Sequence, residues 1–214
     1  MSKRAALGDG GWVRQRLRGL GAEPKVRFDR LEGIDRGALS PAAVLIPVVE
    51  IDEEPSLLFT LRPETMAEHS GEVSFPGGRQ EPGDDDLLWT ALRESDEEIG
   101  LKPKDVEVFG SLVQMPTVTG YEITAYVGEV PWPYELCPNP REIEELFDVP
   151  LRCLADPQRH RIEQHQWKSQ AYDLHFYEYD PHVIWGATGY MVNLLLEFLV
   201  GDHPMEEERR FEVK

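Results

Sequence analysis

The sequence predicts an α/β fold in which a mixed β-sheet packs between helices. Short β-branched or alternating segments bounded by turns are typical of strands. Segments with apolar residues three or four positions apart indicate helices. Because some predicted strands form hairpins and others are separated by a helix, both parallel and antiparallel neighbours are expected.

The N-terminal forty residues differ in charge from the rest of the chain. They contain nine Lys or Arg against five Asp or Glu, whereas the chain of 214 residues has a formal charge of −18. Trp12, Val13, Leu17 and Leu20 lie at roughly helical spacing, so a short amphipathic helix is expected. Its basic face would touch a membrane or an acidic partner, or would lie on the acidic body of its own domain, and the second alternative is favoured. The predicted boundaries are a basic arm at 1–40, one domain at 41–202 and a charged tail at 203–214.

Two strands and a long loop are expected in the first part of the domain. Residues 42–51 form a β-branched run, in which Pro47 argues for an edge strand or a bulge. A second strand is expected at 57–62. Residues 63–78 are predicted to form a loop with a short extended piece at 72–75.

A helix is predicted at 85–99. The three aspartates at 84–86 supply N-caps and complement the positive end of the helix dipole. Gly100 stands where a C-terminal glycine is expected. Trp89 on this helix is expected to lie in the core.

The remaining elements follow from the same patterns. Alternating polar and apolar residues predict a hairpin near the C-terminus, and apolar residues at helical spacing predict a final helix after it. The predicted elements are strands at 106–112 and 123–130, a short helix or turn at 142–147, a hairpin of strands at 160–168 and 171–179, and a helix at 185–199.

The composition excludes several classes of partner. A charge of −18 disfavours nonspecific binding to nucleic acid or to anionic membranes. It also repels phosphate esters unless a metal or a local basic patch is present. Cys137 and Cys153 form no metal-binding pair, and the histidines lack zinc-ligand spacing. No signal peptide is evident, so the cytoplasm is the expected location, and a homodimer is left open.

The strongest chemical signal lies on the predicted helix at 85–99. Glu94, Glu97 and Glu98 stand at positions i, i+3 and i+4, so their carboxylates share one face. Like charges held together need a cation, and Mg²⁺ or Mn²⁺ suits carboxylate oxygens. Most glutamate-rich helix faces are solvated surface, so the metal prediction depends on the residues around the trio. Magnesium in turn indicates a phosphate substrate.

The residues around the trio resemble the Nudix box, G-x5-E-x7-R-E-U-x-E-E-x-G-U, where U is a bulky aliphatic residue. The matching positions are Arg93, Glu94, Glu97, Glu98, Gly100 and Leu101. Ser95 stands at the first U position. The spacing places the first Glu of the box on Asp85 and its Gly on Arg79. Gly78 therefore comes one residue early, and the loop is one residue longer.

An upstream segment is similar to the signature of the coenzyme A pyrophosphatase branch of the Nudix superfamily, L-L-T-x-R-(S/A)-x3-R-x3-G-x3-F-P-G-G. The matching segment has identical spacing and comprises Leu58-Phe59-Thr60-Leu61-Arg62-Pro63, Ala67, Gly71 and Phe75-Pro76-Gly77-Gly78. Phe59, Pro63 and Ala67 depart from the signature. The departure at Ala67 bears on the substrate, because an Arg there is expected to contact a phosphate, and coenzyme A carries an extra 3′-phosphate.

The resemblance implies a Nudix-type α/β/α sandwich with a mixed sheet and a metal-dependent diphosphatase. The implied reaction cleaves coenzyme A or its thioesters to 3′-phosphoadenosine 5′-phosphate and a phosphopantetheine. The alternative is another nucleoside diphosphate derivative, such as ADP-ribose, a dinucleotide or a nucleoside triphosphate. A non-catalytic binding module of the same fold is disfavoured, because all three glutamates are present.

The candidate metal ligands are Gly78, Glu94, Glu97 and Glu98, with Gly78 acting through its backbone as the resemblance implies. Arg93 lies four residues before Glu97, so a hydrogen bond could orient that carboxylate for catalysis. Gly77 lets the backbone approach the substrate phosphates. Glu81 and Asp84, in the longer loop, are candidates for holding a second metal.

Other candidates lie outside the box. The segment at 139–147 resembles N-P-x-E-V-x-E-V-F, and Glu142 and Glu145 are candidate general bases, or else solvated charges on a short helix. Arg62 either contacts a substrate phosphate or pairs with an acid. Arg159 and Arg161 form a basic spot that could bind substrate in place of the missing upstream Arg.

Overall fold

The computed structural model describes residues 3–28, 36–64, 71–167 and 170–201. The helices are α1 Lys3–Ala6, α2 Gly10–Leu17, α3 Leu87–Ile99, α4 Leu151–Leu154 and α5 Gly186–Val200. The strands are β1 Val26–Arg27, β2 Ser40–Ile51, β3 Glu54–Leu61, β4 Val73–Ser74, β5 Gly77–Arg79, β6 Glu107–Pro116, β7 Tyr121–Glu129, β8 Glu145–Pro150, β9 His160–Trp167, β10 Gln170–Tyr179 and β11 His182–Ile184.

The main sheet has eight strands and is mixed, as predicted. Its order is β1-β6-β7-β2-β3-β4, with β5 paired to β2 and β8 paired to β3. Strand β2 runs parallel to β7 and β1 runs parallel to β6, whereas the other pairs are antiparallel. The predicted hairpin is present as β9 and β10, which form a separate three-stranded sheet with β11.

Helices cover both faces of the main sheet. Successive side chains of β2 point to opposite faces, so this strand packs against helices on each side. Ile46 and Val48 lie in one core cluster together with apolar residues of α2 and α5. Leu45 and Val49 lie in a second cluster with Ala91 of α3. The α/β/α sandwich is therefore confirmed, and α3 with its glutamates is held against one face.

Helix α2 lies on the body of the protein. Val13 and Leu17 are buried in the first core cluster. Arg14 donates to a glutamate of β7 at 2.9 Å, and Arg16 donates to the carbonyl of Phe198 in α5 at 2.8 Å. Two basic side chains of this helix are thus used by the protein itself. The domain boundaries stay predictions, and the tail at 203–214 lies outside the described residues.

Pro47 lies in an interior strand, so the prediction of an edge or bulge is wrong. On one side of β2, Pro47 is opposite Gly128 of the parallel strand β7. On the other side, pairing with β5 ends at Val44 and pairing with β3 begins at Val48. Proline is tolerated there because it stands in the gap between two successive partners.

Two further predictions are wrong in their secondary structure. The predicted loop at 63–78 ends in β5, where Gly77 and Gly78 pair with β2. The predicted short helix or turn at 142–147 is wrong from Glu145 onward, where the chain forms β8 and pairs with β3. In both cases a segment without strong strand character is extended because a neighbouring strand offers free hydrogen-bonding groups. Among the described helices, none has the length and apolarity needed to cross a bilayer.

Candidate active site

Helix α3 is fixed at both ends by local contacts. At its start the Asp86 carboxylate accepts a hydrogen bond from the Trp89 N–H at 2.7 Å. At its end Gly100 adopts a left-handed conformation, with φ of 74°. Its buried face includes Ser95, whose hydroxyl donates to the carbonyl of Ala91 at 2.7 Å. Trp89 is 43% exposed, so the prediction that it lies in the core is wrong.

Glu98 is a buried carboxylate at the carboxyl end of α3. Its side chain is 3% exposed, and it accepts a hydrogen bond from the Gly77 N–H at 3.1 Å. The nearest described cation is Arg62, whose Nη1 lies 3.6 Å from Glu98 Oε1. Burial outweighs both contacts and raises the pKa of Glu98 to about 8. The negative charge of Glu98 is therefore only partly compensated by the protein.

Arg62 follows the last residue of β3 and points toward α3. The sequence left two alternatives for Arg62, contact with a substrate phosphate or pairing with an acid, and in the structure it pairs with Glu98. However, its Nε is buried and has no hydrogen-bond partner among the described residues. A buried donor of a charged group without a partner is costly. The described residues therefore leave part of the hydrogen-bonding capacity of Arg62 unused.

Glu94 lies against the backbone of β5. A Cβ atom added at Gly78 would lie 2.5 Å from the Glu94 carboxylate carbon, so only glycine leaves this space open. Burial raises the pKa of Glu94, against the opposing effect of Arg93. The structure thus brings Gly77 and Gly78 to Glu98 and Glu94 respectively.

Arg93 anchors the loop before α3 to the helix. Its Nε and Nη2 donate to the two oxygens of Asp84 at 2.8 and 3.0 Å, and its Nη1 donates to Glu97 at 3.1 Å. Nη2 also lies 3.0 Å from Glu94 Oε1. The hydrogen bond expected between Arg93 and Glu97 is present, but it directs Glu97 to a position that is 58% exposed.

Asp84 is the acid that supports Arg93, although the spacing of the box pointed to Asp85. The Asp84 side chain is 2% exposed and also accepts from the Thr90 hydroxyl and the Glu81 N–H, each at 2.9 Å. Its hydrogen bonds from Arg93 hold its pKa well below the usual carboxyl range. Asp84 already accepts four hydrogen bonds within the protein, and its part in holding a second metal stays a prediction. Three aspartates in succession gave no sequence signal for choosing among them.

Glu142 and Glu145 lie on different faces of the main sheet. Glu142 is in the turn before β8, and its charge contributes to the raised pKa values of Glu94 and Glu98 after the larger effect of burial. Glu145 begins β8, where its Oε1 lies 3.4 Å from Nε2 of His182. It shares a face with Phe147, which packs in the cluster opposite α3. Only Glu142 is brought toward the glutamates of α3.

Arg159 and Arg161 lie at the outer strand of the small sheet. Arg161 donates to Glu178 at 3.1 Å and stacks over the Phe176 ring at 4.0 Å. Arg159 lies 3.9 Å from Asp156. Across the described ranges, no contact links either arginine to α3. Their part in substrate binding stays a prediction.

A family model described as the NUDIX domain matches residues 39–171. The chain belongs to the Nudix family. Uncharacterized Nudix hydrolases NudL from Photorhabdus laumondii and Yersinia pestis are similar to it, with 36% and 35% identity over 157 residues each. These alignments cover 73% of this chain and 83% and 78% of the two relatives.

Solved structures of Nudix proteins are also similar. The Nudix hydrolase RenU from M. smegmatis has a TM-score of 0.47 and 22% identity, over 55% of this chain and 74% of that chain. A MutT/nudix family protein from Enterococcus faecalis has a TM-score of 0.48 and 13% identity, over 84% and 68%. At these TM-scores the structural similarity adds nothing to the family assignment.

The Nudix box of this chain fits a divalent cation at Glu94 and Glu98. Both carboxylates have raised pKa values because they are buried with incomplete compensation, and Gly78 leaves the backbone open beside Glu94. Within the described ranges, no three His, Cys, Asp or Glu side chains already converge as a metal-binding group. Glu97 is directed to Arg93 instead, so it would have to turn to join the other two.

Proposed function

We propose that this Nudix hydrolase uses Mg²⁺ or Mn²⁺ to cleave the diphosphate linkage of coenzyme A or its thioesters. The products would be 3′-phosphoadenosine 5′-phosphate and phosphopantetheine or its acyl form. The observation that carries the proposal is the contact between two separate sequence signatures. Arg62, from the upstream signature, lies 3.6 Å from Glu98 of the Nudix box.

The Gly77–Gly78 segment supports the same proposal. It ends the upstream signature, and its Gly77 N–H donates to Glu98. The residues that resemble the coenzyme A branch therefore surround the carboxylates that would hold the cation. Arg62 adds a positive charge there, with a buried Nε that lacks a partner among the described residues. In a chain of charge −18, such local compensation is what an anionic substrate requires.

The side chains of the site divide the proposed work among them. A divalent cation bound by Glu94 and Glu98 would neutralise phosphate charge and lower the pKa of a water molecule. Arg62 would bind and orient the diphosphate through its guanidinium. Arg93 holds Glu94 and the loop in place, which keeps the site organised before substrate arrives. Glu142, on the same side as these carboxylates, is the favoured acceptor for a proton from the attacking water.

The main alternative is hydrolysis of another diphosphate, such as ADP-ribose, a dinucleotide or a nucleoside triphosphate. Its basis is Ala67, which replaces an Arg of the coenzyme A signature and lies outside the described residues. A non-catalytic module is a weaker alternative, because the box retains all three glutamates. The cytoplasmic location and the oligomeric state stay predictions from the sequence.

The test is a substrate panel with Mg²⁺ and Mn²⁺, in which products are identified by mass. Coenzyme A and dephospho-coenzyme A form a matched pair that differs only in the 3′-phosphate. We expect release of phosphopantetheine from coenzyme A at a kcat/KM well above that for ADP-ribose. Equal or faster turnover of ADP-ribose would favour the alternative, and metal binding without any turnover would favour the module. The Glu98→Gln protein, purified identically, controls for contaminating hydrolases.

A further inference from the structure

The turn at 139–143 is fastened to the carboxyl end of α3. The Asn139 N–H donates to the backbone carbonyl of Glu98 at 2.8 Å, and the Cys137 N–H donates to that of Ile99 at 2.8 Å. The Asn139 carbonyl in turn accepts from the Glu142 N–H at 3.0 Å. The turn therefore keeps a fixed position relative to the part of the helix that carries Glu98.

The Asn139 side chain is used at both ends. Its Nδ2 donates to Oε1 of Glu142 at 3.0 Å, and its Oδ1 accepts from the Arg141 N–H at 3.2 Å. Because a backbone N–H can only donate, the Arg141 contact determines which end of the amide is oxygen. The amino end is therefore the one that faces the Glu142 carboxylate.

The Glu142 carboxylate needs a restraint because other carboxylates lie near it. Its turn is hydrogen-bonded to the end of α3 that carries Glu94 and Glu98, through the Asn139 N–H and the Glu98 carbonyl. Like charges repel, and the Glu142 side chain is only half-buried, so rotation toward water would relieve the repulsion. A charge-assisted hydrogen bond from Asn139 opposes that rotation.

We propose that Asn139 is a positioning residue that holds the Glu142 carboxylate beside Glu94 and Glu98. This rests on the proposed diphosphate hydrolysis, in which Glu142 accepts the proton of the attacking water. The water oxygen bonds to phosphorus, the bridging P–O bond breaks with its electron pair on the departing phosphate, and the water proton passes to Glu142. Loss of the Asn139 amide would leave the base present but misdirected.

The test is a double-mutant cycle on whichever diphosphate of the panel the wild-type protein hydrolyses fastest with Mn²⁺. Asn139→Asp keeps an oxygen for the Arg141 N–H and replaces the donor to Glu142 with a negatively charged acceptor. We expect it to lower kcat roughly tenfold to a hundredfold with little change in KM. In a Glu142→Gln background the same change should cost less than about threefold. Equal losses in both backgrounds would overturn the proposal, because Asn139 would then act independently of Glu142.

A metal-binding measurement separates positioning from damage to Glu98. Without substrate, Asn139→Asp should bind Mn²⁺ at least as tightly as wild type, since an added negative charge does not weaken cation binding. Weaker Mn²⁺ binding would contradict the proposal.

Asn193→Asp is a matched control, because Asn193 Nδ2 donates to Glu197 Oε1 at 2.9 Å within α5. It should leave kcat unchanged, and an equal loss there would also count against the proposal. A wild-type protein that hydrolyses no diphosphate would instead refute the proposed function.

Discussion

Arg93 and Arg62 both contact glutamates of α3, yet their surroundings differ. The Nε, Nη1 and Nη2 atoms of Arg93 all donate to protein oxygens. Arg62 contacts the buried Glu98 at 3.6 Å, and its Nε has no partner in the described part of the chain. The Arg93 region is complete without a ligand, whereas the Arg62 region has a buried carboxylate and a partly exposed cation that the described residues satisfy only in part. The first region is expected to govern stability, and the second to govern catalysis.

The largest expected effect is on the Arg62 side, in Glu98→Gln. We expect kcat to fall by about 10²-fold or more, because a ligand for the cation is lost. Thermal stability of the metal-free protein at pH 7 should be unchanged or higher, since a pKa of about 8 means that the fold already prefers an uncharged side chain at this position. Steady-state kinetics and thermal unfolding measure the two effects.

The control for this variant lies on the same helix. Asp96 pairs with the exposed Lys102 at 2.6 Å, so Asp96→Asn should leave kcat near the wild-type value. Wild-type activity in Glu98→Gln would remove Glu98 from the site. A large loss of stability in Glu98→Gln would contradict the expectation that the Arg62 region governs catalysis rather than stability.

On the Arg93 side, Asp84→Asn should mainly reduce stability. Removal of one partner leaves the Arg93 guanidinium, which is 16% exposed, with incomplete compensation. We expect a loss of about 2 kcal/mol in the free energy of unfolding, below the usual cost of breaking a buried pair because Glu94 and Glu97 still contact Arg93. Urea denaturation measures it. Asp85→Asn, at the exposed neighbour, is the matched control and should change stability little.

The difference in unfolding free energy between wild type and Asp84→Asn should depend on pH, which tests whether the Arg93 region governs stability. The pKa of Asp84 in the folded protein is held below the ordinary value of 3.8 by Arg93. Its stabilising effect is therefore complete well above pH 3.8 and is lost as the pH falls, because the unfolded chain takes up the proton first. The stability difference between wild type and Asp84→Asn should shrink between about pH 5 and pH 2. A stability difference that stays constant over this pH range would show that it does not come from the Asp84–Arg93 ion pair.

The smallest expected effect is that of Gly78→Ala. The added methyl would lie 2.5 Å from the Glu94 carboxylate carbon, so the flexible Glu94 side chain must move while the fold persists. We expect Mn²⁺ to bind about tenfold more weakly, with little change in melting temperature. Calorimetric titration measures the affinity. Gly83→Ala is the control, since nothing lies within 4 Å of an added Cβ there, and equal Mn²⁺ binding in both variants would exclude Gly78 from the site.

Local patterns were enough to predict much of the fold. Helix α3, predicted at 85–99 and observed at Leu87–Ile99, has caps and a buried face within its own sequence, and the hairpin of β9 and β10 has its own alternation. Segments that depend on a distant partner were missed or mistaken. β5 is extended because β2 pairs with it, and Pro47 is tolerated because two partners of β2 meet beside it. Such pairings join residues far apart in sequence, so no local window contains them.

The sequence by itself determined the family, the helix and the three glutamates, because each depends on the identity and spacing of nearby residues. Only the tertiary structure decided how those glutamates differ. Glu98 is buried beside Arg62, Glu94 lies against Gly78, and Glu97 is exposed and held by Arg93. The tertiary structure also distinguishes Glu142 from Glu145, three residues later, because the two side chains lie on opposite faces of the sheet. The physical reason is that burial and charge compensation depend on contacts between distant segments, which the order of residues along the chain does not specify.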